Sequence, residues 1–592
     1  MPDRPDQARP FADSQPAAEG GAASEPQDGP SASTVLAAME AELARSVEGL
    51  KVPANPRPYY LAYALRRIRG VELVAAHGSL LRNRATDRSS VFVDIRVGSR
   101  RFDNLVDGGL DAEATERESA DWLAAPDDLD LDELRVALWK QTQLKFDEAI
   151  EDYYEHRKAL VSEYLRDEVE AFSHERPTIY IEPFDATEFP RALWADTLRE
   201  LSRRFLEHPQ VHDPRLSIRA DRLQRWLCTN EGSRVVTEDR YIEFSVEGWV
   251  LTDDGVYVEA DRRFYLRSLD EMPDREAMDR AIDDVLAELE ELARAEPCSS
   301  FIGPALLAGQ AAATVFHEAF GHRVEGERFV SRGETRTFAH KVGQRILPPG
   351  LDIYDDPTRT HVGEESLWGS YRIDDQGVPA ERANLVEDGV LQGFLTSRTP
   401  TRSSHRSNGH GRHDGVEGIM ARMGNLIAEG SPERARSWDD LVTDLVDLAR
   451  RQGRTHAALV RRIRAGETST GSYDFQVFKG ELADVVLIEV STGKHTRIRD
   501  VELIGTPLSA LQRVIAYGGA DEADHGFCFA ESGAVPVSGV SPALLISEVE
   551  LQQSSTTAFH EPLLPPPFAD DGSRGRRGRL RARGRRRPRG ET

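Results

Sequence analysis

The 592-residue chain contains only three cysteines, Cys228, Cys298 and Cys528. An odd, low count in so long a chain argues against a disulfide framework and fits a reducing compartment. No run of 18 apolar residues is present, so no transmembrane helix is expected. Aromatic residues make up 7% and hydrophobic residues 39%, which fits a globular protein of several domains that is not rich in core material. There is no G-x-S-x-G and no phosphate-loop motif, which removes the common serine hydrolase and NTPase readings. The stretch Gly409-His410-Gly411-Arg412-His413-Asp414-Gly415 has the wrong spacing for a dinucleotide loop and follows no clear strand, so it reads as a polar surface loop. Asp127-Asp128-Leu129-Asp130-Leu131-Asp132 lacks the glycine and terminal glutamate of a calcium loop and reads as a solvated helix start.

Charge is unevenly spread. The net charge is −26, yet residues 573–592 hold ten arginines against one glutamate, so the remainder carries about −35. An acidic body attracts neither nucleic acid nor an anionic membrane. Met1 to Pro30 is dominated by Pro, Ala, Asp, Gln and Ser without an apolar stretch. That composition predicts a disordered arm rather than a signal peptide, and a cytoplasmic protein.

Between these ends the pattern predicts an α+β protein of two domains. Residues 1–33 are the arm, 34–296 an N-terminal α+β domain, 297–566 a β-rich C-terminal domain carrying a buried helix, and 567–592 the disordered Arg-rich tail. Helices are expected at Thr34 to Leu50, Leu134 to Tyr164, Arg275 to Ala295 and Trp438 to Arg451. Strands are expected at Val71 to Ala76, Val91 to Val97, Thr178 to Ile181, Arg219 to Leu227, Tyr241 to Val246 and Val256 to Tyr265, and later at Ala383 to Glu387, Val390 to Leu395, Ala483 to Val490 and Thr496 to Leu503. Asp388-Gly389 is a hairpin signal. The N-terminal domain shows no catalytic constellation.

The stretch richest in chemistry is Val315-Phe316-His317-Glu318-Ala319-Phe320-Gly321-His322. Two histidines on one helical turn can hold a zinc ion, and a glutamate beside the first can act as general base for a metal-bound water. The histidines stand at i and i+5, however, and five residues of regular helix separate them by about 140° around the axis. A wide turn near Gly321 would bring them to one face; otherwise they are two unrelated histidines, one of them a hydrogen-bonded core residue. Gly303-Pro304 is expected to open this helix and Gly326 to stop it. Glu325 either contacts a histidine or is an ordinary solvated carboxylate, and the sequence leans to the latter.

From Phe301-Ile302-Gly303-Pro304-Ala305-Leu306 onward the chain resembles the TldD/PmbA family of zinc peptidases. The likeness runs through Gly309 to Ala313, His317 to His322 and Glu325-Gly326. It continues in Tyr371 to Ala380, Leu385 to Leu391 and Arg422-Met423-Gly424-Asn425, and ends in Gly526-Phe527-Cys528, Gly533, Pro536-Val537 and Pro542. The resemblance implies that His317, His322 and Cys528 are zinc ligands and Glu318 the catalytic base, as in an active member. Departures at Phe529-Ala530, Ala534 and Ser407 to Arg412 concern substrate preference more than the metal. The expected function is a Zn²⁺-dependent peptidase acting on small or unfolded polypeptides, working as a homodimer or as a heterodimer with a paralogous family member. The alternatives are a non-catalytic assembly subunit with a structural metal, or a zinc amidohydrolase of small molecules. A structural site would be closed by a fourth protein ligand and would need no base.

Overall fold

The computed structural model describes residues 30–105, 122–162, 169–331, 333–334, 336–471, 476–557, 559, 564 and 566–568. The arm through residue 29 and the tail from residue 569 lie outside the described residues.

The N-terminal half is a twisted sheet with helices packed against it. The strands are β1 (Pro58–Ala76), β2 (Ser79–Val97), β3 (Trp122–Ala125), β4 (Ile179–Ile181), β5 (Val211–Thr229), β6 (Arg234–Leu251) and β7 (Tyr257–Leu266). Their order is β3-β2-β1-β5-β6-β4, with β7 also on β6. The helices are α1 (Ala32–Gly49), α2 (Leu131–Ser162), α3 (Arg191–Ser202) and α4 (Arg275–Arg294). The Ser31 side chain accepts the Thr34 N–H and caps α1, whose stripe Val35, Leu36, Met39 and Leu43 is buried. These residues pack with Leu61, Leu65, Val93 and Trp226 of the sheet. The expected strands Val71 to Ala76 and Val91 to Val97 cover only part of β1 and β2. Pairing along nearly the whole of a hairpin with 19-residue arms also carries the largely buried Tyr60 to Leu65 and the polar Arg84 to Arg88. Helix α3 is absent from the expected elements, although Trp194, Ala195, Leu198 and Leu201 form a short apolar stripe that packs on the sheet.

Sheet membership changes between Leu266 and Glu296. The second sheet is built from β8 (Glu296–Pro297), β9 (Phe301–Leu307), β10 (Leu351–Asp355), β13 (Ala383–Glu387), β14 (Val390–Leu391), β17 (Asn425–Gly430), β18 (His456–Thr468), β19 (Phe478–Glu489), β20 (His495–Arg499), β21 (Val501–Gly505), β22 (Val514–Ala530) and β23 (Gly533–Gln553). Two small ribbons accompany it, β11 (His361–Val362) with β12 (Glu365–Ser366), and β15 (Gly411–Arg412) with β16 (Met420–Ala421). Asp500, at φ 55°, divides the single strand expected over Thr496 to Leu503 into β20 and β21. Helices α5 (Gly309–Ala319), α6 (Glu327–Val330), α7 (Trp438–Arg451) and α8 (Pro507–Gln512) complete this half.

One expectation is overturned at the start of this region. Gly303-Pro304 does not open a helix; it lies inside β9, which pairs with β23 on one side and β18 on the other. A short apolar run bounded by Gly and Pro suits a doubly covered strand as well as a buried helix. Proline is tolerated because the β9–β23 ladder is irregular opposite Pro304, between Ile546 and Val549. The helix begins only at Gly309, where the Glu522 carboxylate from β22 accepts the Gln310 N–H and does the capping that Ala308 cannot.

Candidate metal centre

Helix α5 stops at Ala319. Phe320, at φ −122° and ψ −54°, leaves helical geometry, and Gly321–Val324 continues as a 3₁₀ turn. The break replaces the wide turn expected from the sequence, and it has the same consequence. His317 and His322 come together with ring centroids 4.9 Å apart and planes nearly perpendicular. Gly321 serves packing here, since a Cβ would fall 2.0 Å from the sulfur of buried Met423.

Cys528 reaches the same point from β22, near the tight end of the β22–β23 hairpin where Ala530 faces Gly533. Its Sγ lies 3.1 Å from His317 Nε2 and 3.3 Å from His322 Nε2. All three candidate donor atoms fall within 4.8 Å of one another. Among the described residues no fourth His, Cys, Asp or Glu joins this group. His322 and Cys528 are buried and His317 is half-buried.

The donor set fits zinc. Two imidazole nitrogens and one sulfur make three corners of a tetrahedron, and a thiolate disfavours magnesium or calcium. Electrostatics favour the thiolate. Burial works to raise the Cys528 thiol, but His322, His317 and Arg422 outweigh it and hold it well below its usual range. Burial works to lower His322, but Cys528 and Glu325 outweigh it and raise the imidazole to about 10. His317 is raised in the same way, with Cys528 overcoming burial.

Glu318 is buried and is not among the gathered donors. Burial raises its carboxyl, with His317 and His322 opposing. Its side chain rests on Gly466 of β18, where a Cβ would come within 2.5 Å of Glu318 Cγ and 2.6 Å of Oε1. Gly466→Ala is therefore expected to displace this carboxylate while leaving the three donors in place. Zinc content should be unchanged, and turnover should fall by up to about 10²-fold, the cost of misplacing a reacting group by about 1 Å. Equal turnover at equal zinc content would show that Glu318 is not held by this contact.

Two expectations about the surroundings fail. Glu325 is not solvated. It is fully buried, with Oε2 3.4 Å from His322 Nδ1 and 2.8 Å from Arg328 Nε. The stretch Gly409 to Gly415 is not a surface loop either. His410 and His413 are buried, and neither joins the cluster. His410 Nε2 is 3.2 Å from Asp355, and His413 Nδ1 is 3.0 Å from the Glu417 carbonyl. Buried Asp374 accepts the Gly411 N–H and half-buried Asp375 the His413 N–H, which satisfies the polar backbone of this segment inside the fold. The role of Arg422 was also missed, although its Arg-Met-Gly-Asn setting was visible; it donates to the Cys528 carbonyl at 2.7 Å. A cavity of about 260 Å³ on the N-terminal sheet, lined by Arg69, Gly70, Thr86, Asp221, Arg222 and Arg240 among others, includes none of the cluster residues.

The chain is similar to known proteins in sequence and in fold. A family model described as the PmbA/TldA metallopeptidase C-terminal domain matches residues 302–553. The chain is 32% identical over 237 residues to a metalloprotease of Archaeoglobus fulgidus, over 39% of this chain and 48% of that one. It is 29% identical over 251 residues to the metalloprotease TldD homolog of Haemophilus influenzae, over 42% of this chain and 47% of that one. The chain thus spans about half the length of these relatives. The fold is similar to the crystal structure of TldE from Thermococcus kodakarensis, with a TM-score of 0.57 and 15% identity, over 87% of this chain and 100% of that chain. At that identity the likeness concerns the fold.

Proposed function

Since this chain belongs to the PmbA/TldD metallopeptidase family, we propose that it is a zinc-dependent peptidase that hydrolyses peptide bonds in small or unfolded polypeptides. The observation that carries this reading is the convergence of His317, His322 and Cys528, residues up to 211 positions apart, beside a buried glutamate. These three would hold the ion through two Nε2 atoms and one Sγ. When bound, zinc supplies Lewis-acid polarisation of the scissile carbonyl and eases ionisation of a water molecule.

The remaining work falls to the protein. Glu318, on the turn that carries His317, takes the proton of the attacking water on a carboxylate oxygen and returns it to the departing amine. A carboxyl raised by burial is better matched to both halves of that transfer than an ordinary surface glutamate. The burial of His322 and Cys528 supports a substrate that reaches the site as an extended segment rather than as a folded surface. Cytoplasmic location and action as a homodimer or as a heterodimer with a paralogous subunit belong to the same proposal; they rest on the family, the cysteine usage and the absence, among the described residues, of any helix long and apolar enough to cross a membrane.

The test is digestion of a mixed library of unstructured peptides. Cleavage should vanish with a chelator and return with added zinc, while folded globular proteins remain uncut. Hydrolysis indifferent to the chelator, or no hydrolysis by zinc-loaded protein, would remove the proposal.

A further inference from the structure

The cluster is assembled from two pieces of chain with no covalent neighbourhood, the turn after α5 and the β22–β23 hairpin. One buried carboxylate lies between them. Glu325 has no solvent exposure, and neither does Arg422; Arg328 is 2% exposed. On one side, Glu325 Oε2 faces His322 Nδ1 at 3.4 Å. An acceptor there keeps a proton on Nδ1 and leaves Nε2, which faces Cys528, as the nitrogen that would bind a metal. On the other side, Glu325 pairs with two guanidinium groups: Arg328 Nε donates to Oε2 at 2.8 Å, and Arg422 Nε lies 3.4 Å from Oε1, an ion pair without a hydrogen bond.

Both arginines end on the hairpin that carries Cys528. Arg422 donates to the Cys528 carbonyl at 2.7 Å, the Ser532 hydroxyl at 2.8 Å and the Gly533 carbonyl at 2.9 Å. Arg328 forks onto the Glu531 carboxylate, with NH1 to Oε1 at 3.0 Å and NH2 to Oε2 at 2.8 Å. A guanidinium is a rigid fork, so each arginine transmits position as well as charge. Four hairpin positions, Cys528 and the consecutive Glu531, Ser532 and Gly533, are thereby referred to the same carboxylate that faces His322.

We propose that Glu325 is the positioning residue of this centre, a single buried carboxylate that orients His322 directly and sets the place of Cys528 through Arg422 and Arg328. This rests on the metal reading above. It predicts that Glu325 acts on metal affinity and on the thiolate–metal geometry without touching substrate. Removing an outer partner of this kind typically lowers metal affinity by about 10–100-fold.

Cobalt(II) titration of the full chain tests it, because cobalt reports both affinity and, through its visible and thiolate charge-transfer bands, ligand geometry. Wild type should show a tetrahedral spectrum with a thiolate band. Glu325→Gln should keep the folded far-UV spectrum, bind cobalt about 10–100-fold more weakly and show shifted bands. Arg422→Lys keeps the cation beside Glu325 but cannot make three hairpin contacts. It should alter the thiolate band, and it decides the matter if Glu325→Gln does not fold. Affinities within twofold of wild type and an unchanged spectrum in the folded variants would overturn the role of Glu325 while leaving the metal centre standing. A wild-type protein that binds neither cobalt nor zinc would instead overturn the metal reading, and this inference with it.

Discussion

Glu318→Gln should retain zinc and fold but lose nearly all hydrolysis. The amide is close in shape to the carboxylate, and the site around it is well defined: Gly466 lies against its side chain, and Arg323 donates to its backbone carbonyl at 2.7 Å. What the amide cannot do is accept a proton. The loss should be at least the ~10²–10⁴-fold that removal of a positioned general base produces. It should appear in kcat more than in KM, because Glu318 contributes during bond cleavage rather than in holding the peptide. The check is turnover of an unstructured peptide at matched zinc content. A variant within a few-fold of wild type would move the base to another residue.

The second large effect is expected from Cys528→Ser. A neutral hydroxyl replaces a thiolate that two imidazoles and Arg422 stabilise. Zinc affinity should fall further than the roughly 10–100-fold lost with an outer partner, so that protein purified without added zinc carries little of it. The backbone contact from Arg422 is unaffected by this change, and the hairpin should stay in place. Cys298→Ser provides the control. Cys298 is also buried, but it packs at the start of the second half with its thiol against the Ser299 carbonyl, and should leave zinc content unchanged. Equal loss in both variants would point to a general effect of removing buried sulfur.

Much of this centre was legible in the sequence because its chemistry is local. His317, Glu318 and His322 sit within six residues, and the geometric conflict of i, i+5 spacing already required the helix to give way near Phe320-Gly321. It could not say how. The outcome is an abrupt change to a 3₁₀ turn, with Met423 filling the space beside Gly321, a tertiary contact. Cys528 entered only through family resemblance; spacing alone gives no reason to bring it 211 residues back to His317. It stands on a strand, β22. The hairpin β22–β23 was hard to read because Gly518-Gly519 and the acidic run that follows have low β propensity, and pairing with β23 overrides it.

The buried charges were the least legible part. Glu325 looks like a surface carboxylate when read along the chain, since burial of a glutamate is rare unless it is paired. Its partners come from three places, Arg328 nearby, His322 before it and Arg422 almost a hundred residues later. The same holds for Asp374 and Asp375, which accept backbone N–H groups of the polar Gly409 to Gly415 segment inside the fold. Apolar periodicity identifies what packs; it carries no information about which charges are mutually satisfied in the interior.

The most direct measurement is zinc K-edge X-ray absorption on the purified full-length protein. The account predicts one zinc per chain in a four-coordinate shell, with two nitrogen scatterers showing imidazole signatures at about 2.0–2.1 Å, one sulfur at about 2.3 Å and one light atom from solvent. A shell without sulfur, a shell of several sulfurs, or protein that takes up no zinc would contradict the assignment of His317, His322 and Cys528.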